Sequence, residues 1–311
     1  MARRAVTPLG VLRNPSSSGN RGRAPRPAPP GVVVIEARSA AETPAALAAL
    51  RAAGVVAVVV DGGDGTVRET ATHLAQAFGG APPPLGVLPH GNTNLIARSL
   101  GALADEAALA ALAARLRAGR LPPTRRAAML ALAFDDGRAP LRGFMMGWGA
   151  YERATRLAAD EIAARGAAQV RAAFLTALKR ALIGAEARAL RAGVAARLAI
   201  DDADPEQAQR FLGLVTALPG RLTAGFNPFW GAGAGPLRWL DVRAPARLLP
   251  LAAPLAAYGL PMGWMARAGY RSGRARRIAL RLDGRFVLDG ERYAGGAITV
   301  SADETLAIIT S

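Results

Sequence analysis

The residues with the most chemical content lie in two glycine loops and two short turns. The run Asp61-Gly62-Gly63-Asp64-Gly65-Thr66-Val67-Arg68-Glu69 follows a stretch that is almost purely valine, Val55 to Val60. Three glycines within four positions let the backbone turn tightly and approach a ligand with no Cβ in the way. Thr66 and Glu69 have capping-box spacing, which predicts a helix beginning at Thr66. A strand, a glycine turn and a helix start aim backbone N–H groups at one point, and the natural ligand of such an anion site is a phosphate. A carboxylate beside phosphates needs a metal ion or a proton, so Asp64 is a candidate magnesium or proton-relay residue. By itself the run also admits the lesser reading of a plain strand-to-helix turn.

A second loop of the same kind follows, Leu88-Pro89-His90-Gly91-Asn92-Thr93-Asn94-Leu95-Ile96-Ala97-Arg98, again between a strand and a helix. A third turn, Asn14-Pro15-Ser16-Ser17-Ser18-Gly19, follows the first strand. In a parallel sheet the loops at the carboxyl ends of neighbouring strands face one crevice, so three such turns predict a nucleotide site. His90 reads as a loop residue and His73, within a helix, as packing or surface. The late run Leu288-Asp289-Gly290-Glu291 carries a hairpin signal in Asp289-Gly290, with Glu291 just beyond it.

The elements that must position these residues alternate over the first 120 residues or so. Strands are expected near Thr7–Arg13, Val32–Ile35, Val55–Val60 and Leu85–Leu88, and helices over Thr43–Ala53, Thr66–Phe78, Asn94–Leu100 and Asp105–Ala118. Such alternation predicts an α/β domain with a doubly wound parallel sheet. Leu121-Pro122-Pro123 reads as a linker, dividing the chain into 1–122 and 123–311. The second part is expected to be mostly β and sandwich-like, with a helical insertion at about 151–191 and last strands near Phe286–Leu288, Ala297–Val300 and Leu306–Thr310.

Composition narrows the chemistry. The chain has 311 residues, 51% hydrophobic, with 39 basic against 23 acidic residues and a net charge of +16. That balance favours polyanions: nucleotides, nucleic acid or an anionic membrane. All but one of the basic residues are arginine, Lys179 being the exception, so coding bias and a solvated arginine surface account for the charge equally well. No cysteine is present, which excludes disulfides, zinc–thiolate sites and thiol nucleophiles, and two histidines are too few for a three-imidazole site. Aromatic content of 5% and the lack of a nucleic-acid motif argue against a nucleic-acid partner. The longest uncharged run, Leu248 to Ala266, is interrupted by Pro250, Pro254 and Pro261, so it reads as a buried helix and loop or a surface that touches lipid. A cytoplasmic protein, peripheral to a membrane at most, is expected.

The Gly-Gly-Asp-Gly-Thr run with Glu69, Pro89-x-Gly91-x-x-Asn94, Asn14-Pro15 and the terminal Asp289-Gly290-Glu291 together resemble the diacylglycerol kinase catalytic domain, the superfamily of bacterial lipid kinases and of sphingosine and ceramide kinases. The resemblance implies a nucleotide domain followed by a β-sandwich domain, with ATP and magnesium as cofactors and a lipid hydroxyl as acceptor. It implies that Gly62, Gly63, Gly65 and Thr66 cradle ATP phosphates, that Asn14 and Asn92 contact the nucleotide, that Asp64 holds magnesium or relays a proton, and that Glu291 is the general base. Asn92 stands where the family commonly has threonine, Leu95 where it has an acid, and Ala128 where some bacterial members have aspartate. An acid for a structural metal is replaced near Ala234–Leu237, so no protein-bound structural metal is expected. The implied partners are a lipid substrate and, from the clusters Arg21–Arg26, Arg115–Arg126 and Arg271–Arg277, an anionic membrane surface; a homodimer is a further expectation. Two other readings stay open: an NAD kinase-like enzyme, and a non-catalytic nucleotide- or lipid-binding regulator.

Overall fold

A computed structural model describes residues 8–24, 27–91, 94–165, 191–222 and 225–310. The chain divides into two compact units, Met1–Ala127 with Thr305–Ser311, and Ala128–Glu304.

The first unit is built on a six-stranded sheet in the order β2-β1-β3-β4-β15-β5. Its strands are β1 (Leu9–Arg13), β2 (Val32–Glu36), β3 (Ala57–Gly62), β4 (Leu85–Pro89), β5 (Thr124–Ala128) and β15 (Thr305–Ile309). The pairs from β2 across to β15 are all parallel. Every residue of β3 is buried, as a β-branched run in the middle of a covered parallel sheet should be. The helices are α1 (Thr43–Ala52), α2 (Asp64–Ala77), α3 (Leu95–Leu100) and α4 (Glu106–Arg117). On α4, Leu109, Leu112, Ala113 and Leu116 recur at helical spacing and pack with Leu9, Val11 and Val59 of the sheet. Asp105 caps that helix by accepting from the Ala108 N–H at 2.9 Å.

Three expectations differ from what is observed. Helix α2 begins at Asp64, two residues before Thr66, with Gly63 as an N-cap that lends no side chain, so the Thr66–Glu69 capping box does not form. The Leu121–Pro123 linker leads not into a new domain but into β5, and the Thr310 N–H returns to the Pro123 carbonyl at 3.0 Å. The last strand, placed with the β-rich half by its apolar pattern, is β15, paired in parallel with β4. Periodicity reports that a strand buries one side; it does not report in which sheet.

The second unit is an antiparallel sheet in the order β12-β11-β10-β8-β13-β14-β6-β7, with β9 pairing both β10 and β13. The strands are β6 (Leu130–Phe134), β7 (Leu141–Gly143), β8 (Met145–Gly149), β9 (Val194–Ile200), β10 (Glu206–Thr216), β11 (Leu237–Arg243), β12 (Tyr270–Ala275), β13 (Arg277–Leu288) and β14 (Glu291–Ser301). The long strands β10 and β13 each pair with β9 along one half and with β8 along the other, and each shifts register where the partner changes. Such bulges bend a strand, which lets one sheet wrap around the core of Trp148, Phe286, Val215 and Ile298. Helices α5 (Ala150–Arg165), α6 (Leu249–Ala257) and α7 (Gly263–Arg267) complete it. The rest of the expected helical insertion lies outside the described residues. Among the described residues, no helix is long and apolar enough to cross a membrane.

Candidate active site

The strand order reverses direction between β1 and β3, the place where an open α/β sheet binds ligands. Asn14 leaves the carboxyl end of β1 and Gly62 ends β3, so both sit at that switch point. The Asn14 side chain donates from Nδ2 to Thr66 Oγ1 at 3.0 Å and accepts the Ser16 N–H on Oδ1 at 2.9 Å. Its carbonyl accepts from Ser17 Oγ at 2.9 Å and Asn20 Nδ2 at 3.0 Å. The first turn is thus wound around one asparagine and strapped to the first turn of α2. The bond to Asn14 also explains why Thr66 is not the N-cap: its hydroxyl is engaged across 52 residues of sequence.

Beneath this strap lies Asp61, only 7% exposed. Its Oδ1 accepts from Asn20 Nδ2 at 2.8 Å and lies 2.6 Å from His90 Nδ1, while Arg13 Nε stands 3.6 Å from Oδ2. The His90 carbonyl accepts the Gly19 N–H at 2.8 Å, and the His90 N–H donates to the Gly62 carbonyl at 3.0 Å. One buried carboxylate therefore ties all three turns together. Sequence reasoning gave His90 no role and passed over Asp61 and Asn20. The available signal was Asp61 itself: a carboxylate ending a fully buried valine strand must be paired. Beside this hub a recess of about 580 Å³, open to solvent, is lined by Arg13, Asn20, Arg23, Asp61, His90 and apolar residues of β1 and β2.

Asp64 joins the two glycine loops. Its Oδ2 accepts the Leu95 N–H at 2.8 Å and its Oδ1 the Ile96 N–H at 3.0 Å, so it caps α3 from the first turn of α2. Burial raises its pKa above the ordinary 3.8, against the lowering by backbone N–H groups and Arg98. Asn94, in the left-handed region at φ 51°, holds the second loop from within: it accepts the Gly91 N–H and donates to the Gly91 and Pro89 carbonyls. Asn92 and Thr93 lie outside the described residues.

The glycines divide by what a Cβ would meet. On Gly91 it would come within 2.5 Å of the Gly63 Cα, and on Gly62 within 2.9 Å of the Thr66 side chain. Gly63 and Gly91 are thus needed for the loops to pack on one another, and Gly62 for its own loop to turn back on Thr66. On Gly65 a Cβ would meet nothing within 4 Å. Gly65 lies in the first turn of α2, where a helix leaves N–H groups without intrahelical partners, so open space and anion-binding donors coincide there. This arrangement suits phosphate oxygens. It does not make a resident magnesium site: Asp64 is engaged in capping, and no group of three or more acidic or histidine side chains suited to a metal occurs among the described residues. Both Asp64 oxygens accept backbone N–H groups, so within this geometry Asp64 joins the two loops.

Glu291 belongs to the second unit. Asp289 and Gly290 form the two-residue turn between β13 and β14, both at positive φ, 49° and 92°. Asp289 also anchors that turn, accepting the Phe144 N–H on Oδ2 at 2.9 Å and the Met145 N–H on Oδ1 at 2.8 Å. Glu291, the first residue of β14, is exposed and accepts a hydrogen bond from the Tyr293 hydroxyl at 2.7 Å. Tyr293, which orients this carboxylate, was not singled out from the sequence; its place two residues on, on the same strand face, is the signal that finds it.

Residues 8–121 match the family model of the diacylglycerol kinase catalytic domain. The match lies within the first unit. Among curated members, the Probable lipid kinase YegS of Escherichia fergusonii is 49% identical over 51 residues, and that of Escherichia coli O1:K1 / APEC 47% identical over 51 residues. The matched stretch covers 16% of this chain and 17% of either relative. A solved diacylglycerol kinase from Bacillus anthracis str. Sterne shares the fold with a TM-score of 0.63, at 13% identity, over 99% of this chain and 98% of that one. The α/β first unit and mostly β second unit are therefore a fold that this solved structure shares.

Proposed function

We propose that this chain, whose residues 8–121 match the diacylglycerol kinase catalytic domain, transfers the γ-phosphoryl group of ATP to a hydroxyl of a lipid. The observation that carries the reading is the interlocked pair of glycine loops, in which a Cβ would be crowded at Gly62, Gly63 and Gly91 but would meet nothing at Gly65. ATP phosphates lie along the first turn of α2, at Gly65 and Thr66, with Asn14 fixing the Thr66 hydroxyl and Asn92 contacting the nucleotide. Asp64 and Asp61 hold the loops in place so that the donors need no reorganisation when ATP binds. Magnesium, when bound with the nucleotide, would supply charge neutralisation at its phosphates. The acceptor oxygen forms its bond to the γ-phosphorus as the bond from that phosphorus to the β-bridging oxygen breaks, and ADP leaves. Glu291 takes the hydroxyl proton as the new bond forms; a carboxylate is too weak a base to remove it beforehand. Tyr293 keeps that carboxylate oriented.

Incubating the protein with γ-labelled ATP and a total lipid extract tests this, with NAD and a soluble sugar as parallel acceptors. Label in an extracted lipid is the expected result. Label in NAD alone would support the NAD kinase-like reading, and ATP binding with no labelled acceptor the regulator.

A further inference from the structure

The second unit carries an exposed apolar surface around helix α6. Helix α6 is built the wrong way round for a helix on a water-soluble face. It buries Ala252 and Ala256 and exposes Leu251 and Pro254, with Tyr258 continuing the same stripe just past its end. Spacings of three and seven put 251, 254 and 258 on one side of the helix. Leu251 is 63% exposed. Leu248 just before the helix, and Leu260 and Met262 just after it, are each at least half exposed. Phe226 stacks on Tyr258 with ring centroids 5.8 Å apart, and the Asn227 N–H donates to the Ala257 carbonyl at 2.8 Å. Large side chains thus project to solvent from one contiguous segment, and small ones face the protein. Apolar groups so gathered mark a surface made to be covered.

The charge around the segment says what covers it. Residues 242–282 hold eight arginines and no aspartate or glutamate. Arg271, foreseen as part of a membrane-facing cluster, is instead held at 2.8 Å by Asp241 and at 2.9 Å by Glu206. Arg221, Arg247 and Arg267, which border the apolar residues in sequence, are exposed. An apolar stripe fringed by cations complements a surface with anionic headgroups above hydrocarbon. The nine residues of α6 span only about 13 Å against roughly 30 Å of bilayer core, so the helix lies in the interface without crossing.

We propose that the segment from Leu248 to Met262 is a membrane-insertion face, with Leu248, Leu251, Tyr258, Leu260 and Met262 entering the acyl boundary of an anionic bilayer and Arg221, Arg247 and Arg267 meeting its headgroups. This adds to the lipid kinase reading the place where the chain meets its membrane, and it is measured by binding without ATP, so it stands or falls separately from turnover.

The chain has no cysteine, so Leu251→Cys gives a single attachment point for a polarity-sensitive dye, with Ala114→Cys on the exposed face of α4 as control. Phosphatidylglycerol-containing vesicles should shift the emission of the Leu251→Cys label to the blue and leave the control unchanged; pure phosphatidylcholine vesicles should do so far less. Leu251→Gln with Leu260→Gln should weaken vesicle binding by about tenfold or more, with an unchanged thermal melt because both sites are exposed. Arg247→Gln with Arg267→Gln should weaken it mainly at low salt. The proposal is overturned if the leucine pair binds vesicles like wild type, if the Leu251→Cys label does not respond, or if the leucine pair instead turns a dimer into a monomer without vesicles, which would assign the face to a second copy of the chain.

Discussion

The glycine-loop cradle and the Glu291 hairpin solve opposite problems. In the cradle, buried and half-buried polar groups satisfy one another: Asp61, Asn14, Asp64 and Asn94 bind backbone and side chains from loops up to 52 residues apart. At the hairpin the anchoring and the exposed carboxylates are separate residues, Asp289 inside and Glu291 outside. A buried network fixes geometry before a ligand arrives; an exposed carboxylate on a rigid turn stays available to react. Binding and chemistry are therefore expected to fail independently.

The largest effect is expected where the cradle has no slack. Gly91→Ala drives a Cβ into the Gly63 backbone, which cannot rotate away as a side chain could. It should cost about 3 kcal/mol of stability and most ATP affinity, read by denaturant unfolding and calorimetry. The hairpin should answer differently. Glu291→Gln should lower kcat by about 10²-fold with an unchanged melting temperature, and Tyr293→Phe should lower it by a smaller factor.

Next in size is Asp64→Asn, which keeps one acceptor for the α3 N–H groups and should cost about 1 kcal/mol at neutral pH. The two units also differ in the sign of their pH dependence. Asp64 has a raised pKa in the folded protein, so its contribution to stability declines as pH rises from the ordinary 3.8 through the raised value. Glu304, bonded by Arg142 at 2.7 Å and 2.5 Å, has a lowered one; its contribution is present above the ordinary 4.5 and is lost as pH falls below it. Over an acid titration, wild type should lose ground to Asp64→Asn as pH rises, and lose its advantage over Glu304→Gln as pH falls. Parallel shifts in both would break the distinction.

What the sequence disclosed follows the range of the interactions. The valine strand β3, the Asp105 cap and the Asp289-Gly290 turn are local features, and each forms where its residues put it. The start of α2 was misplaced because a local capping pattern lost to a distant partner, Asn14. The Asp61 hub stayed hidden because its partners, Asn20 and His90, lie 41 and 29 residues away. Gly62, Gly63 and Gly65 look alike in the motif; only the packing around each distinguishes the glycines that lock the loops from the one left open. The placement of β15 in the first sheet was unreadable for the same reason, since its burial pattern suits either unit.

The smallest structural change should then give the clearest separation. Gly65→Ala meets no neighbour and sits in a helix, so the melt should be unchanged or slightly higher, by up to about 1 kcal/mol. ATP affinity and the rate of lipid phosphorylation at saturating ATP, measured side by side in wild type, Gly65→Ala and Glu291→Gln, test the division most directly. Gly65→Ala should lose about tenfold or more in ATP affinity and keep most of the saturated rate, while Glu291→Gln keeps its affinity and loses the rate. Wild-type ATP affinity in Gly65→Ala, or a wild-type rate in Glu291→Gln, would contradict the assignment of phosphate binding to the cradle and of proton removal to the hairpin.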